Sequence, residues 1–121
     1  GNNLDMFEAM KIAGLIQGGI HENEKRITAK DVIKMGTING ARLLGLDDKI
    51  GSIEVGKEAD IIIVDISKKL DNIKITPNVD IISNIVYNMD GRSVDTTIVS
   101  GEILMENRNV KVIDTKKVLK K

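Results

Sequence analysis

Gly51-Ser52-Ile53-Glu54-Val55-Gly56-Lys57-Glu58-Ala59-Asp60-Ile61-Ile62-Ile63-Val64-Asp65 carries more information than any other stretch of this chain. Two glycines mark turns, Lys57 follows the second, and an aspartate stands at each end of a β-branched run. The stretch reads as turn, short strand, turn, strand, with Gly56-Lys57 at a hairpin tip. Ile61 to Val64 is apolar at every position, which predicts a strand buried on both faces. The pattern is scaffold and not chemistry. Asp60 and Asp65 stand roughly 16 Å apart at strand rise, too far for a paired acid and base. They read as strand-end residues meeting turn backbone. Gly51-x-x-x-x-Gly56-Lys57 has the outline of a phosphate loop, but Glu58 replaces the Ser or Thr and a strand follows where a helix is needed.

Upstream, the pattern is helical. Leu4 to Ile16 is apolar around most of its circumference, with Asp5, Glu8 and Lys11 as one narrow polar stripe. Asn3 is the expected N-cap, Asp5 sits near the positive end of the dipole, and Gly18-Gly19 are expected to end the helix. A second helix starts at Thr28, with Asp31 completing a capping box and Ile27 and Val32 placed as a hydrophobic staple. Gly36-Thr37 breaks it. Thr37 is expected to cap a short third helix through Leu44, with Ile38, Ala41 and Leu44 on one face, and Gly45 stops it.

Downstream, Asp71 to Asn78 is a loop holding the only proline, Pro77. Val79 to Met89 predicts a helix, and Asp90-Gly91 a turn. Val94 to Val99, Ser100-Gly101 and Glu102 to Glu106 form a hairpin signal. Val110 to Ile113 predicts a third strand, and Asp114 or Thr115 caps a terminal helix. Helices come first and strands later, so the fold class is α+β. The first helix and the doubly apolar strand both need neighbours that this pattern does not supply.

Composition narrows the function. The 18 basic and 18 acidic residues balance, and Phe7 and Tyr87 are the only aromatics. Neither a basic footprint nor stacking platforms for nucleic acid exist. No apolar run approaches the roughly 18 residues of a membrane span, and no signal peptide is evident. The lack of cysteine excludes thiolate chemistry and fits a cytoplasmic protein. His21 is the only histidine. It lies in the polar loop from Gly18 to Lys25 and reads as a solvent residue. One His and no Cys cannot build a hydrolytic metal centre, which usually takes two or three His. The five methionines read as core filler.

Three segments in order then point to a family. Gly51 to Asp65 resembles the C-terminal signature of the metal-dependent amidohydrolase superfamily. Met35-Gly36-Thr37-Ile38-Asn39-Gly40-Ala41-Arg42-Leu43-Leu44-Gly45-Leu46 resembles the helical segment that leads into it. Val94-Asp95-Thr96-Thr97-Ile98-Val99-Ser100-Gly101-Glu102 resembles the closing hairpin. Asn2-Asn3-Leu4-Asp5-Met6-Phe7-Glu8-Ala9-Met10 is similar to the cytosine-deaminase-like branch, with its S-adenosylhomocysteine, methylthioadenosine or deoxyadenosine deaminases and its chlorohydrolases.

The resemblance implies a C-terminal piece of a larger protein. Residues 1–46 would be the last helical part of a (β/α)8 barrel. Residues 47–113, with a helix near 79–89, would join a composite β-sandwich, and 114–121 would be a terminal helix or tail. The family's metal, zinc or iron, and its proton-shuttling residues would all lie before Gly1. No catalytic or metal-binding residue is therefore assigned to this chain, and no cofactor. Asn2 and Asn3 would be substrate-adjacent in the parent. Gly51, Gly56, Lys57, Ala59, Asp60, Asp65 and Gly101 form a structural signature. The expected parent is a hydrolase of non-peptide C–N bonds, the isolated chain is expected to be inactive, and its open faces predict self-association. The alternative is a non-catalytic interaction module that binds itself or a separate barrel chain.

Overall fold

A computed structural model describes residues 4–20, 27–67 and 80–111, with backbone alone for 18–20. Helix α1 (Met6–Ile20) leads to α2 (Ala29–Met35) and α3 (Ile38–Leu43). A long loop then reaches strand β1 (Ile61–Val64). Helix α4 (Ile81–Asn88) and a 3-10 turn (Gly91–Ser93) come next, followed by β2 (Val94–Val99), β3 (Glu102–Glu106) and β4 (Asn109–Val110). The α+β class stands.

The helix starts follow their caps. Thr28 Oγ1 accepts from the Asp31 N–H at 3.2 Å, and Asp31 Oδ2 accepts from the Thr28 N–H at 3.0 Å. This closes the expected capping box, and Val32 behind it is fully buried. Thr28→Ala is expected to cost about 1 kcal/mol, because the Asp31 N–H loses the hydroxyl oxygen that caps it. Thermal unfolding followed by circular dichroism measures it. Asp80 caps α4, accepting from the Ile82 and Ser83 N–H groups at 3.1 Å each.

Other helix ends depart from expectation. Helix α1 runs through Gly18 and Gly19 to Ile20, because a glycine costs a helix only about 1 kcal/mol and need not end it. Thr37 precedes α3 without a side-chain cap, since its hydroxyl donates to the Ile33 carbonyl at 2.8 Å. The helix ends at Leu43, and Leu44 is 71% exposed while Ala41 is buried.

The sheet is antiparallel in the order β1-β2-β3-β4. Ile61 faces Ile98 and Ile63 faces Thr96, with a bulge before Val64 meets Val94. The β2–β3 hairpin has its expected limits, and Ser100 (φ 49°) and Gly101 (φ 80°) adopt the left-handed conformations of a tight hairpin turn. The last strand is described at Asn109–Val110, beginning one residue before the expected Val110, and Val112 and Ile113 lie outside the described residues. Asn107 and Arg108 also have positive φ, and the Arg108 guanidinium secures that turn. Its Nη1 donates to the carbonyls of Val94 at 2.8 Å and Gly91 at 3.1 Å.

Helix α1 packs on α2 and α4, and α2 packs on α4. A core of Phe7, Met89 and Val94 joins helices to sheet, surrounded by Met10, Val64, Ile66, Ile85 and Met105. The expected Asp71 to Asn78 loop, the Gly18 to Lys25 loop beyond Ile20, and the terminal helix lie outside the described residues.

Candidate functional site

The signature loop is built from backbone partners. Residues 51–55 form no strand, contrary to expectation: Ile53 is 82% exposed and Val55 is fully exposed. Among the described residues no strand pairs with them. Gly51 has φ 92° and approaches α3 closely, its ideal Cβ position lying 2.8 Å from Ala41 Cβ.

Lys57 is no exposed hairpin tip. Its Nζ donates to the Asp47 carbonyl and to Ser52 Oγ, both at 2.6 Å, and pairs with Glu54 at 3.4 Å. The side chain is only 11% exposed. The ammonium thus closes the loop from Asp47 to Lys57 upon itself. A hydrogen bond from Ser52, together with Lys57, lowers the Glu54 pKa from its ordinary value. At Asp80 the side-chain hydrogen bond from Ser83 lowers the carboxyl pKa, and the Asp90 hydrogen bond raises that of Arg92. All three shifts favour the charged form, the opposite of a carboxyl held protonated to act as an acid at neutral pH.

The next residues clamp the β2–β3 turn. Asp60 Oδ1 accepts from the Ser100 N–H at 2.7 Å, Glu58 Oε2 accepts from the Ser100 hydroxyl at 2.7 Å, and the Ala59 carbonyl accepts from the Gly101 N–H at 3.1 Å. Asp65 Oδ1 accepts from the Ser67 N–H at 3.0 Å. Both aspartates therefore meet turn backbone as expected. The structure brings Glu58, Ala59 and Asp60 together with Ser100 and Gly101, two segments whose bonded pairs are 40 and 42 residues apart in sequence and one clamp in space. Asn2, Asn3 and His21 lie outside the described residues.

Strand β1 is not buried on both faces, for Ile62 is 49% and Ile63 53% exposed. The sheet order leaves one edge of β1 open among the described residues, and an apolar strand is buried only by what covers it. Beside it runs an open groove of about 540 Å³, lined by Met6, Met35, Leu44, Ile53, Ile61 and Ile62 among others. A second groove, about 570 Å³, lies between Asp5 with Glu8 and Lys11 of α1 on one side and Asp90, Gly91 and Arg92 on the other.

Neither groove fits a divalent metal centre. No group of three His, Cys, Asp or Glu side chains converges among the described residues, and the whole chain has one His and no Cys.

The model of the Amidohydrolase family matches residues 1–104. The chain belongs to the amidohydrolase family. It is 45% identical to a 5'-deoxyadenosine deaminase from Methanobrevibacter smithii, over 99% of this chain and 27% of that protein. It is 43% identical to a 5-methylthioadenosine/S-adenosylhomocysteine deaminase from Thermoanaerobacter pseudethanolicus, over 98% of this chain and 26% of the relative. The chain thus spans about a quarter of the length of the curated relatives it matches. A zinc-bound adenosine deaminase from Xanthomonas campestris aligns with TM-score 0.80 and 28% identity, covering 95% of this chain and 25% of that one. The zinc complex of an atrazine chlorohydrolase from Arthrobacter aurescens shares the fold, with TM-score 0.71 and 24% identity over 94% and 24% of the two chains.

Proposed function

We propose that this amidohydrolase chain is the C-terminal part of a metal-dependent hydrolase of non-peptide C–N bonds, of the purine-nucleoside deaminase type. The carrying observation is 45% identity across nearly the whole chain to a protein named 5'-deoxyadenosine deaminase. In this reading residues 1–46 belong to the end of the barrel, 47–113 to a β-sandwich completed elsewhere, and 114–121 to a tail. Asn2 and Asn3 stand beside the substrate. The zinc of the adenosine deaminase neighbour supports a divalent metal in the parent, held by donors outside this chain. The parent acts on a small molecule in the cytoplasm.

The chain alone is inactive in this reading, since its single His and absent Cys leave too few donors to activate water. The test replaces the matching 121-residue stretch of the Methanobrevibacter smithii deaminase with this chain and measures ammonia release from 5'-deoxyadenosine. Activity within tenfold of the unmodified deaminase is expected for the chimera. The isolated chain with Zn²⁺ or Fe²⁺ is expected to release none above background. A folded but inert chimera, or an active isolated chain, would count against this reading.

A second reading is favoured by the half-exposed Ile62 and Ile63 on an edge strand. Here the chain is a non-catalytic module that associates with itself or with a separate barrel chain. Light scattering across a concentration series distinguishes it, because a monomer at high concentration is incompatible with self-association.

A further inference from the structure

The groove beside β1 gathers exposed apolar side chains from three parts of the chain. Leu44 and Ile53 are largely exposed, Met35 and Ile62 half-exposed, and all four line it. Its polar side chains are already committed. Asp60, the one ionisable lining residue, accepts from the Ser100 N–H. The Thr37 hydroxyl donates to the Ile33 carbonyl, and the Ser52 hydroxyl bonds Glu54 and Lys57. What is left to offer a ligand is apolar surface. One wall is β1, which pairs with β2 on one side and forms the sheet edge among the described residues. An added strand would fit both features, its backbone on the edge and its apolar side chains in the groove.

Two occupants compete, a second copy of this chain and the rest of a longer one. An antiparallel pairing of β1 with itself, centred on the strand, sets Asp60 opposite Asp65 of the second copy at both ends, and like charges directly opposite destabilise such a pair. The lengths favour the other occupant. The same fold takes up only 25% of the adenosine deaminase chain that it matches with TM-score 0.80, and only 27% of the deaminase that is 45% identical. Each of those proteins has three quarters of its chain left to lie against this face.

We propose that the groove formed by Leu44, Ile53 and β1 is the surface on which the remaining three quarters of the parent deaminase docks, through an apolar strand added to β1. This rests on the deaminase reading, which supplies the occupant. Ile53 is then a solvent residue in the isolated chain and an interface residue in the parent.

That contrast gives the test. Ile53→Asp is compared with Val55→Asp, two residues on, fully exposed and outside the groove. Each is placed in the 121-residue chain and in the chimera that carries this chain within the Methanobrevibacter smithii deaminase, and Tm is measured for all. In the isolated chain both variants are expected to stay within about 4 °C of the unsubstituted protein. In the chimera Ile53→Asp is expected to lower Tm by about 8 °C or more, because it buries an unpaired charge, while Val55→Asp changes it little. Equal shifts for the two variants in the chimera would overturn the proposal. So would a loss at Ile53→Asp as large in the isolated chain as in the chimera, which would make Ile53 part of this chain's own packing. A dimer of the isolated chain in light scattering, abolished by Ile53→Asp, would give the groove to a second copy and overturn it too. A chimera that is folded but releases no ammonia would sink the deaminase reading, while the Tm comparison still reports whether this face docks.

Discussion

Phe7→Ala is expected to lower the free energy of unfolding by about 3–5 kcal/mol. Phe7 is the only phenylalanine, and it is 6% exposed. Its ring lies with Met89 and Val94 in the core, and Met10, Val64, Ile85 and Met105 pack around that core from α1, β1, α4 and β3. Removing it opens a cavity where helices and sheet meet. The surrounding residues belong to several separately anchored elements, so the space cannot close by moving one of them. Small domains are stable by only about 5–15 kcal/mol, so this loss is a large share of the total. Urea unfolding followed by far-ultraviolet circular dichroism should show a lower midpoint at similar slope. Val55→Ser is the control, because Val55 is fully exposed and surface changes of that kind stay within about 0.5 kcal/mol. Matching midpoints for the two variants would mean that Phe7 does not join the two layers.

What could be read from the sequence was local. The hairpin at Val94–Val99 and Glu102–Glu106 was legible because its turn residues and its alternation lie within thirteen residues. The Thr28–Asp31 box was legible for the same reason, since the two side chains are three positions apart. The environment of β1 was not. An unbroken apolar run reports that a strand is made to be covered, whereas Ile62 and Ile63 stay half exposed because nothing among the described residues covers them. The short strand expected between the turns at Gly51 and Gly56 is also absent, because a strand needs a neighbour to take its hydrogen bonds and none among the described residues pairs with this segment. Asp5 read only as a negative charge near the positive end of the α1 dipole, yet it accepts from the Phe7 N–H. Its second partner is the backbone N–H of Gly91, and no side chain at that position advertises such a bond.

Gly51→Ala is expected to cost about 2–5 kcal/mol, and the comparison with Gly56 shows why the signature needs its first glycine. Both residues sit at positive φ, 92° and 95°. Left-handed backbone costs an L-residue about 1–2 kcal/mol at either position. The surroundings differ. A Cβ on Gly56 meets nothing within 4 Å, so Gly56→Ala should cost the conformational strain alone. A Cβ on Gly51 would come within 2.8 Å of Ala41 Cβ, 2.9 Å of Ile38 Cα and 3.3 Å of the Ile38 nitrogen. These atoms are backbone or fixed directly to it, and none can swing aside as a long side chain would. Accommodating the methyl group means moving α3 away from the loop, with an overpacking penalty of about 1–3 kcal/mol. The loop is closed by Lys57 on its Asp47 and Ser52 partners, so it cannot easily give way instead. Equal destabilisation of the two variants in thermal unfolding would mean that conformation alone accounts for both glycines. A larger loss at Gly51 would identify that residue as the contact through which the signature loop is seated on α3, before it clamps the turn at Ser100 and Gly101.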